Sequence, residues 1–263
     1  MWQLFLDLFF PRRSLLGQDG EWITEAERRL LVPHPVIEET ADLRRRGIRF
    51  LDRLVAASTY ADSPLLKKAI HTFKYGHIRG LDQELGRLIV QALTEIDHSF
   101  QITKNNHGET LGGSDGTQRW SRTFEGRVGS WEGNRRLPSR EIVLCPVPLH
   151  WVRRFQRGFN QSERLARIVA AERELSVLPL LRRIRWTGSQ MKRTRPERLT
   201  GVTGAFRCIT NHPPSHVVLI DDLSTTGATL DECASALKRA GVLRVEGWVV
   251  AHDRRQYADS STQ

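Results

Sequence analysis

The stretch from Val217 to Glu232, VVLIDDLSTTGATLDE, constrains the fold of this chain more than any other. Val217, Val218, Leu219 and Ile220 are consecutive apolar residues and read as a short strand buried on both faces, as inside a parallel sheet. Two carboxylates, Asp221 and Asp222, stand at its C-terminal end. Ser224, Thr225, Thr226, Gly227, Ala228 and Thr229 then make a turn of small residues. A helix follows, with apolar Leu230, Cys233, Ala234 and Leu237 at spacings of three and four, and Gly241 closes it. Such a turn points backbone N–H groups, threonine hydroxyls and a helix N-terminus at one place, which suits a phosphate monoester. The acids cannot bind that phosphate, but beside it they are placed to accept hydrogen bonds from sugar hydroxyls. The residues therefore read as a sugar 5-phosphate site at a strand's carboxyl end, where open α/β sheets bind ligands.

The run of apolar residues, acid pair, two spacers and TTGAT resembles the signature of the type I phosphoribosyltransferases, which bind phosphoribosyl pyrophosphate (PRPP). A second strand signal, Ile142, Val143, Leu144 and Cys145, ends at Pro146-Val147-Pro148, because proline has no ladder donor. Beyond it Arg153, Arg154, Arg157, Gly158, Phe159, Asn160 and Gln161 lead into a helix carrying Leu165, Ile168 and Val169. An arginine-rich turn with a glycine suits a pyrophosphate group, since guanidinium forks match phosphate oxygens in pairs.

The sequence CPVPLHWVRRFQRGFNQSERLA is similar to the ComF family of competence-associated phosphoribosyltransferase-like proteins. LDLFFPRR, YADSPLLKKAIHTFKY and RRIRWTGSQMKRTRPERLTGVTGAF agree with the same family. The resemblance implies an α/β fold of type I phosphoribosyltransferase kind, a mainly parallel sheet with helices on both faces. It implies that Asp221 and Asp222 hold the ribose hydroxyls and that Thr225, Thr226, Gly227, Ala228 and Thr229 hold the 5-phosphate. Arg157, Gly158, Arg185 and Gln190 would serve the pyrophosphate, with Mg²⁺ bound together with PRPP rather than by the protein alone. Arg182 to Phe206, rich in arginine and bearing Gly188, Gly201 and Gly204, looks like the loop that closes over PRPP in such enzymes. Some purine enzymes of the superfamily carry an aspartate three residues after the acid pair; here Thr225 stands there, so the nitrogenous acceptor is not named. Family members typically have an N-terminal four-cysteine zinc module, whereas no cysteine precedes Cys145, and no zinc is expected. A PRPP sensor without turnover and a single-stranded-nucleic-acid-binding competence protein are the other readings.

The remaining chain sets outer bounds. At 263 residues it suits one domain with appendages or two small ones, and a formal charge of +10 favours polyanionic partners. Residues 1–49 form an N-terminal region: an apolar start, Met1 to Phe10, read as a packed or interfacial helix too short to span a membrane, then a polar, arginine-rich segment without a chemical motif. In residues 50–97, Phe50 to Tyr60 reads as a strand or hairpin. Asp62 or Ser63 caps a helix from Pro64, with Lys67, Lys68 and Lys74 facing out, and a second helix covers Leu81 to Leu93. Residues 98–140 form a glycine-rich flexible insertion whose Trp120, Phe124 and Trp131, among arginines, could stack on single-stranded nucleic acid. Residues 141–253 hold the phosphoribosyltransferase-like core, and 254–263 are a polar tail. Cys145, Cys208 and Cys233 are widely spaced and read as small core residues in a reducing cytoplasm.

Overall fold

The computed structural model describes residues 14–18, 23–61, 63–75, 80–106, 142–149, 159–185 and 204–253. Its elements are α1 (Glu25–Leu30), β1 (Val36–Glu39), α2 (Thr40–Arg45), β2 (Arg53–Thr59), α3 (Pro64–Tyr75), α4 (Leu81–Asn106), β3 (Ile142–Pro146), α5 (Gln161–Arg173), β4 (Ser176–Val177), β5 (Leu181–Arg183), β6 (Phe206–Cys208), β7 (His216–Ser224), α6 (Ala228–Arg239) and β8 (Arg244–His252). Six strands form one sheet in the order β1-β2-β8-β7-β3-β4, while β5 and β6 pair as a separate ribbon. Only β1 is antiparallel to its neighbour in the large sheet; the other pairs are parallel. Parallel neighbours need crossovers, and helices provide them: α5 links β3 to β4, and α6 links β7 to β8.

Both sheet faces are covered, which explains why the central strands read as unbroken apolar runs. Val218 and Ile220 of β7 pack with α3, α4 and α5 through Phe73, Leu85, Ile89 and Leu165. Val217 and Leu219 pack on the other side with Leu43 and with Leu230, Cys233 and Leu237 of α6. The mainly parallel α/β architecture with helices on both faces is therefore as the sequence leads one to expect. Helices α4 and α5 approach closely at Gly86, where an added Cβ would lie 2.5 Å from Ile168 Cγ2.

Several boundaries differ from the sequence reading. Strand β7 does not end at Ile220 but runs through both acids to Ser224, because β8 goes on pairing with it: Asp221 with Val249, Leu223 with Ala251, Ser224 with His252. On the opposite edge β3 stops at Pro146, level with Ile220, so the acids project beyond it. Helix α4 continues thirteen residues past Leu93 to Asn106, since no glycine or proline interrupts the sequence before Gly108. The segment from Phe50 to Tyr60 gives one strand, β2, whose hairpin-like partner β1 comes from the arginine-rich N-terminal segment. Ser63 caps α3, its Oγ accepting the Leu66 N–H at 3.1 Å. Cys145 and Cys233 are fully buried and Cys208 half-buried, and burial pushes the Cys145 thiol up to about 12, which suits core residues. Among the described residues no helix is long and apolar enough to cross a membrane. Residues 1–13, the insertion aromatics, Arg157, Gly158 and Gln190 lie outside the described residues.

Candidate functional site

The carboxyl end of β7 gathers side chains from four other elements. Asp222 is buried, and its Oδ1 takes an ion pair with Lys74 Nζ of α3 at 2.8 Å. Asp221 Oδ1 accepts hydrogen bonds from Ser162 Oγ, in the first turn of α5, at 2.9 Å and from the Asp222 N–H at 3.0 Å. Burial and the adjoining Asp222 carboxylate push Asp221 up to about 7, against the opposing pull of Lys74 and Ser162. Among the described residues Lys74 is the cation paired with these two acids, and near neutral pH the second charge is shared between a proton and whatever donor or cation approaches. The donor set is oxygen only, which suits sugar hydroxyls and a hard, hydrated cation of the magnesium kind. Among the described residues no group of three His, Cys, Asp or Glu side chains could hold a metal by itself.

Next to the acids the chain leaves the sheet through Thr225, Thr226 and Gly227. Gly227 has φ +80° and opens α6, a conformation that side-chain-bearing residues rarely adopt. A Cβ there would also lie 3.0 Å from Ile48 Cδ1. The carbonyls of the turn face the protein: Ser224 O accepts from the Asp253 N–H and meets His252 Nδ1, both at 2.9 Å. Arg46 Nη2 lies 3.5 Å from Thr225 O and 3.4 Å from Thr226 O. In a planar trans peptide the next N–H points opposite to the carbonyl. The N–H groups of Thr225, Thr226 and Gly227 therefore point opposite to these carbonyls and away from Arg46, in a turn where Thr226 and Gly227 are themselves buried, while the Ala228 N–H makes a long bond, 3.4 Å, to Thr226 Oγ1. Asp231, in the first turn of α6, fastens the chain beneath by accepting the N–H groups of Arg49, Phe50 and Leu51 at 2.6–3.0 Å.

Asp221 and Asp222 lie near the end of β7, and Thr225 to Thr229 run from there into the first turn of α6. Arg185 sits one turn of chain beyond β5, at the base of the segment that resembles a closing loop. That base is anchored by the β5–β6 ribbon and by the Gly204 N–H, which donates to Glu232 Oε1 of α6 at 2.6 Å. Sequence reasoning missed Lys74, Ser162, Arg46 and His252. Lys74, taken as outward-facing, instead pairs with Asp222, and Lys67 donates to Ala61 O at 2.8 Å. The signal for Lys74 was available: it follows Ile70 by four residues and adjoins Phe73, both buried, so the apolar stripe already ran beneath it.

Comparison with known proteins gives a family. Competence protein F of Haemophilus influenzae is 30% identical over 204 residues, 76% of this chain and 72% of that protein. A DNA utilization protein, YhgH, of Salmonella typhimurium is 33% identical over 197 residues, 74% of this chain and 70% of that one. Competence protein ComFC of Bacillus subtilis is 37% identical over 104 residues, 40% of this chain and 41% of its own. No protein-family model matches the chain. Similarity at this level, spread over more than two-thirds of both partners, makes the chain a member of the ComF family of competence proteins.

Proposed function

We propose that the protein is a phosphoribosyltransferase of type I kind, which binds PRPP with Mg²⁺ at the carboxyl end of β7 and displaces pyrophosphate with a nitrogenous acceptor. The observation that carries this reading is the adjacency of an acid pair and a turn whose carbonyls are engaged from behind. In it, Asp221 and Asp222 accept hydrogen bonds from the ribose 2- and 3-hydroxyls. The N–H groups and hydroxyls of Thr225 to Thr229 take the 5-phosphate at the N-terminus of α6. Arg157, Gly158, Arg185 and Gln190 are assigned to the pyrophosphate end. Bound with PRPP, Mg²⁺ supplies charge neutralisation for the departing pyrophosphate. The acceptor nitrogen forms a bond to the anomeric carbon as the carbon–oxygen bond to pyrophosphate breaks, pyrophosphate leaves with the electron pair, and the acceptor's proton passes to solvent. The protein's share is to orient the ribose, hold the phosphates and exclude water.

A second reading has its own support. Relatives are named for competence and DNA utilization, and the chain carries a formal charge of +10, so a role in DNA uptake, with or without turnover, fits the reducing cytoplasm that suits three free cysteines. One experiment separates the classes. Pyrophosphate release from PRPP across a panel of nitrogenous bases marks the enzyme, and saturable PRPP binding without release marks a sensor. Neither, combined with single-strand affinity that falls steeply with salt, marks a nucleic-acid binder and refutes the phosphoribosyl reading.

A further inference from the structure

Behind the turn lies a buried group of charges that the sugar-phosphate reading does not use. Glu38, from the end of β1, is 4% exposed, and His252, from the end of β8, is fully buried. Arg46, just past α2, has a side chain only 10% exposed. Its Nη1 donates to Glu38 Oε2 and lies 3.0 Å from His252 Nε2, while Nη2 faces the carbonyls of Thr225 and Thr226. His252 Nδ1 meets Ser224 O, and since a carbonyl oxygen only accepts, that nitrogen carries a proton. Nε2 lies between Arg46 Nη1, at 3.0 Å, and Glu38 Oε1, at 3.4 Å. A guanidinium buried this deeply is costly unless paired, and Glu38 pairs it. Its second amino group remains directed at the turn.

Three successive carbonyls, those of Ser224, Thr225 and Thr226, are thus held from one side by a single buried assembly. We propose that Arg46, held by Glu38 and His252, is the positioning residue that aims the Thr225–Gly227 amides away from itself, toward the place of a phosphate monoester. The inference rests on reading this turn as the 5-phosphate subsite. Arg46 acts without touching the ligand: it engages the carbonyl ends of the peptides whose N–H ends face the phosphate, and polarises them in the favourable sense. Paired with Glu38 it adds no net charge beneath the turn, so its effect is confined to the peptides it touches. Its effect should therefore fall on the phosphate monoester and not on the pyrophosphate end.

Ribose 5-phosphate and magnesium pyrophosphate, each titrated by calorimetry, test this. The variants are Arg46→Lys and the charge-balanced double substitution Arg46→Met with Glu38→Gln, which avoids leaving a buried carboxylate unpaired. In the folded double variant, ribose 5-phosphate affinity is expected to fall at least about tenfold, the scale of a lost charge-assisted contact, with pyrophosphate affinity within about twofold of wild type. Arg46→Lys, which keeps the charge without the fork, should recover part of the loss. A general loosening of the fold would weaken both ligands together, so parallel losses overturn the inference, as does an unchanged ratio of the two affinities or a lysine variant no better than the neutral pair. Wild-type protein that does not bind ribose 5-phosphate at all would instead remove the reading beneath it, and the inference with it.

Discussion

Asp221 should couple ligand binding to a proton. Its carboxyl is raised to about 7 chiefly by burial and by the Asp222 charge beside it, while a ribose hydroxyl or a hydrated cation needs the ionised form. A group of this pKa is about nine-tenths protonated at pH 6 and about nine-tenths ionised at pH 8, so the affinity for ribose 5-phosphate with Mg²⁺ should rise about tenfold between those values. The ligand's own phosphate titrates near 6, and Asp221→Asn is the control that retains that contribution and removes the protein's. Calorimetry at pH 6 in two buffers of different ionisation enthalpy should count about 0.9 more protons released by wild type than by this variant, following the same fraction. Asp222→Asn removes the neighbouring charge and should move the midpoint down; Lys74→Met removes the opposing cation, 2.8 Å from Asp222, and should move it up. Stability follows from the same shift. The native state holds the Asp221 proton between the unfolded pKa, about 3.9, and about 7, so wild-type stability is lost as pH rises through that window, and Asp221→Asn should gain on wild type there. Identical pH profiles and proton counts for wild type and Asp221→Asn would refute the argument.

Changing both Asp221 and Asp222 to Asn keeps their shape but places amide donors against hydroxyls, and PRPP affinity with Mg²⁺ should fall at least about tenfold in a protein of unchanged circular dichroism; equal binding in calorimetry would remove the acids from the site. Asp231→Ala strips the acceptor from three backbone N–H groups, one of them on buried Leu51, and should cost about 2 kcal/mol in urea unfolding. Gly86→Ala would drive a methyl into Ile168 and should cost about 1–3 kcal/mol despite the better helix propensity. Shortening the opposing side chain with Ile168→Ala should restore part of that loss, and no restoration would place the strain elsewhere.

The parts of this fold that were legible in the sequence are those whose cause is local. Val217 to Ile220 is apolar on both faces because both faces are covered, and the Thr-Thr-Gly turn is readable because a left-handed residue must begin α6 there. Boundaries were less legible where the deciding partner is distant. Whether β7 stops at Ile220 or Ser224 depends on β8 continuing to His252, and no property of Asp221 or Asp222 announces that. The pairing of β1 with β2 was hidden for the same reason: Val36–Glu39 is too short and too polar to read as a strand until Arg53–Thr59 lies against it.

The site shows the same division between local and distant causes. The acids and the turn of the proposed site fall within Asp221 to Thr229, whereas the groups packed behind them are distant in sequence: Arg46 lies 179 residues from Thr225 and 206 from His252. Hydrophobic period records which side of an element is covered but not what covers it. Lys74 is the exception that could have been read further. A lysine beside a stripe of Leu66, Ile70 and Phe73 starts near the core, and a charge held there needs an opposite charge within reach. The chain offers an acid pair at the end of a buried strand, and Lys74 reaches Asp222 there. Burial first and the adjoining Asp222 charge second hold a proton on Asp221, against the pull of Lys74.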